Sequence, residues 1–184
     1  DFNLSIYDQV LKPIGVQFPR STKIGRDGIK YIGDKVSGAY DNLLKKKDMR
    51  FEADDVFKRE VASLRYTVTD AKKPAQLQFE KIYKNNIQRF FTQEGGISGN
   101  TYKNLETILN NHIKKFGKSL SPDDQYIAEA LKALKESAQN QLHRTNPQYA
   151  AQLRNINKSW AMLVQAELAS TTMGAKGGIF SPQQ

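Results

Sequence analysis

The sequence predicts an all-α protein, a single elongated bundle of about six helices with short connections. Three observations carry that prediction. Apolar residues recur every three to four positions over most of the chain, the spacing of one helical face. The segments so marked open on Ser, Asp or Pro and close on Gly or before Pro, as helices do. Connections of about three to eight residues favour antiparallel neighbours. Of the 184 residues, 39% are hydrophobic and 26% charged, a balance too apolar for a disordered chain and polar enough for a thin helical body.

Residues 1–23 read as an N-terminal arm packing on the body. Pro13, Gly15 and Pro19 interrupt the apolar residues Ile6, Val10, Leu11, Ile14, Val16 and Phe18, which suits a short helix followed by an extended stretch. Residues 24–172 read as the helical domain. Its first helix runs from Ile24 to about Lys47 on Ile29, Ile32, Val36, Ala39, Tyr40, Leu43 and Leu44. Gly25, Gly28, Gly33 and Gly38 weaken it but would let another helix come close.

A second helix starts near Asp54 or Asp55, whose charges complement a helix N-terminus, and runs to about Thr67. The β-branched and aromatic residues from Leu64 to Thr69 leave a brief extended segment open there. Lys73-Pro74 opens a third helix to about Phe91, ended by Gly95-Gly96. Residues from Ser98 to Thr101 begin a fourth on Tyr102, Leu105, Ile108, Leu109, Ile113 and Phe116, closed by Gly117.

Ser121-Pro122-Asp123-Asp124 follows the grammar of cap, proline and first-turn acids, and opens a fifth helix on Tyr126, Ile127, Ala130, Leu131, Leu134, Ala138 and Leu142. Asn146-Pro147 breaks it and starts a sixth on Tyr149, Leu153, Ile156, Trp160, Leu163, Val164 and Leu168. Residues 173–184 read as a glycine hinge and, at Ser181-Pro182-Gln183-Gln184, as the start of a helix that the chain does not complete.

The chain has no cysteine, which excludes disulfides, thiol nucleophiles and thiolate metal sites. No apolar run reaches the length of about 18 residues that a membrane span needs. Asp1-Phe2-Asn3-Leu4 lacks the charged start and apolar stretch of a signal peptide. His112 and His143, the only histidines, lack zinc spacing, and no metal or cofactor is expected. Gly117-Lys118-Ser119 resembles the end of a phosphate-binding loop, but His112 stands where that loop needs glycine, and a helix precedes it. Glu136-Ser137 is similar to the catalytic glutamate-serine step of lytic transglycosylases, which keeps a cell-wall-degrading fragment as an alternative.

The net charge of +9 draws the chain toward polyanions or an acidic partner. Candidate phosphate contacts are Lys45, Lys46 and Lys47, the one dense run, with Lys81, Lys84, Arg89, Lys114, Lys115 and Lys118. These would make a helical module that binds nucleic acid without reading its sequence. The aromatics among them, Tyr83, Phe90, Phe91 and Tyr102, fall at core spacing. Trp160, Leu163 and Leu168 on the sixth helix are candidate oligomer contacts.

Five segments in order give the chain a resemblance. They are Val36-Ser37-Gly38-Ala39-Tyr40-Asp41-Asn42-Leu43-Leu44, Gly96-Ile97-Ser98-Gly99-Asn100-Thr101-Tyr102-Lys103, Arg144-Thr145-Asn146-Pro147, Leu153-Arg154-Asn155-Ile156-Asn157-Lys158-Ser159-Trp160-Ala161 and Gly178-Ile179-Phe180-Ser181-Pro182-Gln183-Gln184. From about residue 24 onward the chain resembles a helical region of tailed-phage and prophage virion-associated proteins, including internal and ejection proteins. The resemblance implies a noncatalytic module of particle structure or genome delivery, partnered by other virion proteins or a second copy. It transfers no catalytic residue.

Overall fold

The computed structural model describes residues 2–17, 26–68 and 73–171. The glycine hinge and the helix start proposed for residues 173–184 lie outside the described residues. Seven helices account for nearly all of the rest, and the protein is all-α. They are α1 (Phe2–Leu11), α2 (Arg26–Leu44), α3 (Asp55–Thr67), α4 (73–91), α5 (Gly99–Gly117), α6 (Pro122–Thr145) and α7 (Ala150–Thr171). Helix α4 joins an α-helical stretch Lys73–Ile82, a π-helical turn Tyr83–Ile87 and a last α-helical turn Gln88–Phe91.

Where the sequence suggests one helical domain over residues 24–172, the contacts divide into two compact units. One is built from the described parts of 1–43 and 148–184, the other from Leu44–Pro147. In the first unit, α1 packs along α7. Tyr7, Val10 and Leu11 are buried, and the Ser159 hydroxyl donates to the Val10 carbonyl at 2.6 Å. A 3-10 turn Lys12–Ile14 follows α1, closed by Gly15 at φ 71°. Gly33 is where α2 meets α7: a side chain there would come within 3.5 Å of Leu163, whereas Gly38 faces open space. Of the four glycines, the structure therefore ties Gly33 to helix approach and not Gly38.

In the second unit, α5 and α6 are antiparallel and α3 and α4 also pack on α6. The α5–α6 register is readable from Gly117 beside Ala128, Asn110 bonded to Lys135 and Glu106 bonded to Gln139. Asp54 caps α3 by accepting the Phe57 N–H at 2.7 Å, and Ser98 caps α5 by accepting the Thr101 N–H at 3.3 Å. Ser121 occupies the cap position of α6, but its hydroxyl makes no cap hydrogen bond. Pro122, with no N–H to satisfy, and the acids Asp123 and Asp124 carry that helix start instead. The α-helix of α3 continues through Leu64 to Thr67, so no extended segment forms over those residues, and Thr69 lies outside the described residues.

One feature has no trace in the helical periodicity. Arg50–Phe51 pairs antiparallel with Ile97–Ser98, Phe51 opposite Ile97. This two-residue ladder seats Phe51 at the centre of an aromatic cluster. Its ring lies 5.3 Å from Phe57, edge-on, 5.3 Å from Tyr102, stacked, and 5.8 Å from Phe91. Phe57 meets Phe91 at 4.7 Å, again edge-on. The edge-on pairs set the positive ring edge against the negative face, which adds about 0.5–1.5 kcal/mol per pair beyond area burial.

Candidate functional site

Two of the sequence motifs, those around Gly96 and Asn146, converge on one segment, residues 44–54, and the reasons are steric and polar. Gly96 has φ 75°, and a Cβ there would lie 2.4 Å from the Phe51 carbonyl. A Cβ on Gly99 would lie 2.1 Å from the Leu44 carbonyl, and the Gly99 N–H donates to Met49 O at 3.1 Å. Between the two glycines, Ile97 is buried in the ladder and Ser98 caps α5. From the opposite side, the buried Asn146 amide pairs with both backbone groups of Arg50 and also donates to Leu142 O. Gln141 donates to Glu52 O, and Arg144 sits 3.4 Å from Asp54 and 3.7 Å from Glu60. The segments around Gly96 and Asn146 therefore act as structural clamps on this strand and loop.

Electrostatics follow the same pattern. The Phe57 N–H holds the Asp54 carboxyl below its usual range against the opposing effect of burial, with lesser help from Arg144 and Gln141. Arg65 grips Glu80 through two hydrogen bonds of 2.7 Å and lowers that carboxyl too. The same guanidinium lies 5.0 Å from the Tyr83 ring centroid, while burial raises the Tyr83 hydroxyl. His112 is pushed down by burial and by Lys115, with its ring stacked 6.4 Å from Phe116. Each shift has a local structural cause. Glu136 is exposed on α6. Among the described residues, no group of three or more His, Cys, Asp or Glu could hold a metal ion, and no helix is long and apolar enough to cross a membrane.

Shallow hollows lie among the described residues. One, of about 470 Å³, lies between α1 and α7 and is lined by Asp8, Gln9, Lys12, Pro13, Lys158 and Met162. Another, of about 430 Å³, lies along α4 beside Leu77, Lys81, Asn85 and Asn86. Among the described residues, neither lining contains a Ser, Cys, Thr or His.

The candidate phosphate contacts are scattered. Lys45, Lys46 and Lys47 are exposed in the turn after α2. On α4, Lys84 lies 4.0 Å from Glu80, Arg89 sits over the Phe90 ring at 4.9 Å, and Lys81 borders the hollow. Lys114, Lys115 and Lys118 are exposed together at the end of α5. Lys103, half-buried two turns before Asn110, lies on the same helix.

Helix α7 corrects one expectation. Leu163, read from the sequence as an oligomer contact, is 1% exposed and packs toward Gly33, so it belongs to the core of its own unit. Leu153, Ile156, Ser159 and Ala166 are buried as well. Trp160, Val164 and Leu168 are 36%, 49% and 64% exposed, and their spacing of four residues places them in one line. Val164 replaces Leu163 as the middle member of the surface.

No family model matches this sequence, and neither a curated protein nor a solved structure matches it.

Proposed function

We infer that this chain is a noncatalytic structural or assembly module of a tailed-phage or prophage virion-associated protein, working by attachment to another subunit. The observation that carries this reading is the exposed line Trp160, Val164 and Leu168 on α7, a helix whose other side is buried. Covering the apolar area that these side chains still expose removes it from water, which favours contact with a protein partner.

The virion setting rests on the sequence resemblance. The residues around Gly96 and Asn146 that give the chain its resemblance are used in holding the 44–54 segment. In this chain, those residues have a folding role. The noncatalytic part of the reading draws support from Asp54, Glu80, Tyr83 and His112, whose shifts arise from a cap, an ion pair or burial.

The partner tested first is a second copy of the chain. Sedimentation of the wild type from micromolar to sub-millimolar concentration is expected to show association, lost in a Trp160→Ser/Val164→Ser variant. Trp160 is the only tryptophan, so its fluorescence should shift to the blue as the surface is covered. A wild type that stays monomeric with unchanged fluorescence, and that captures no virion component, would sink the reading.

A further inference from the structure

The solvent face of α5 differs from an ordinary mixed-charge helix surface. Its only carboxylate, Glu106, is turned inward: it is 7% exposed and accepts from the Tyr102 hydroxyl at 3.4 Å and the Gln139 amide at 3.3 Å. What α5 and the residue after it leave outside are Asn100, Asn104, Thr107, Asn110, Asn111, Lys114, Lys115 and Lys118, with Lys103 half-buried. The neighbouring edge of α6 adds Lys135, whose ammonium donates to Asn110 Oδ1 at 2.8 Å. The exposed polar side chains on this face are amides, ammoniums and one hydroxyl; the amides and ammoniums can donate hydrogen bonds to an anion, while the Thr107 hydroxyl donates to the Lys103 carbonyl at 2.9 Å. Glu129 and Glu136, the exposed acids of α6, stand on that helix and not on this face of α5.

From Lys103 to Lys118 the face extends about 22 Å at 1.5 Å per residue. That length follows roughly six phosphates of one strand of a duplex at 3.4 Å per strand. We propose that this face of α5 is a sequence-independent contact surface for the phosphate backbone of a nucleic acid. An extended row of donors with no carboxylate to repel phosphate matches a linear polyanion. A lipid surface is the poorer fit, because the exposed positions of α5 present no apolar side chain for insertion. The nearest fully exposed one, Leu120, lies beyond the helix end. The Asn side chains supply directed bonds to phosphate oxygens between the lysines, while the base edges go unread.

The test is anisotropy of a labelled random-sequence DNA duplex with the full chain across a salt series. With about four phosphate contacts, wild-type affinity should fall roughly 100-fold between about 50 and 200 mM salt. Lys114→Gln/Lys115→Gln/Lys118→Gln should reduce the slope of log affinity against log salt by about 3. It should also weaken low-salt binding by at least tenfold. Lys45→Gln/Lys46→Gln/Lys47→Gln, which removes the same charge elsewhere, should change binding less than threefold, and Trp160→Ser should leave it intact. Circular dichroism checks that each variant folds. The proposal is overturned if the wild type does not bind at low salt or if the two triple variants lose equally. It is also overturned if the chain prefers vesicles of anionic phospholipid and loses them on Leu120→Ser.

Discussion

The side-chain amide of Asn146 pairs with both backbone polar groups of Arg50: its Oδ1 accepts the Arg50 N–H at 3.0 Å and its Nδ2 donates to the Arg50 carbonyl. It takes the place that the peptide group of a neighbouring strand would fill, and its third bond, to Leu142 O at 2.8 Å, anchors it to the end of α6. One residue thus ends a helix and completes the edge of a ladder that begins 96 positions earlier in the chain.

Asn146→Ala would leave those backbone groups without their partner, at a cost of about 2 kcal/mol. Asn146→Asp keeps the acceptor for Arg50 N–H but turns a carboxylate oxygen toward the Arg50 and Leu142 carbonyls. It should therefore destabilise at least as much as alanine despite its similar shape. Urea unfolding of both variants checks the order, and an aspartate variant as stable as wild type would refute the pairing.

Two glycine substitutions should act in opposite directions. Gly99→Ala drives a Cβ to 2.1 Å from the Leu44 carbonyl, a backbone atom that cannot swing away, and should cost about 3 kcal/mol or more. Gly38→Ala, inside α2 with nothing within 4 Å, should stabilise by up to about 1 kcal/mol and raise Tm by about 2–4 °C. Thermal melts decide, and equal shifts of one sign would contradict the packing at Leu44.

Acidification should destabilise the fold in two stages. His112 has a folded pKa below 6.5, so the unfolded chain takes up its proton first and stability falls as pH drops through the ordinary histidine range. Asp54 and Glu80 have folded values below 3.8 and 4.5. Their stabilisation is present above those unfolded values and is lost as pH falls through the lower folded ones. His112→Gln should flatten the first stage and leave the second. Glu80→Gln should reduce the second only modestly, because the pair with Arg65 is partly solvated. Chemical denaturation from pH 8 to 3 measures both, and a first stage unchanged in His112→Gln would exclude that assignment.

Helix existence was legible because periodicity and end signals are local. Lys73-Pro74, Gly117, Pro122 and Asn146-Pro147 each act through the backbone of their own few residues, and the ends of α4, α5 and α6 fall where those residues stand. The surfaces were only partly legible. Leu163 and Val164 are adjacent apolar residues on one helix, and which of them is buried depends on the position of α2 at Gly33. The lysines of α5 could be counted, but not the inward turn of Glu106 toward Tyr102 and Gln139.

By itself, the sequence determined that the chain is helical, where its helices start and stop, and which chemistries its missing cysteines remove. Only the tertiary structure decided that Asn146 reaches Arg50, that Gly99 must admit the Leu44 carbonyl, and that the contacts fall into two units. Helix formation is set by bonds and spacings within four residues, which a one-dimensional pattern records. The clamps join groups tens of residues apart, and nothing in local spacing specifies which distant backbone a given amide or glycine will meet.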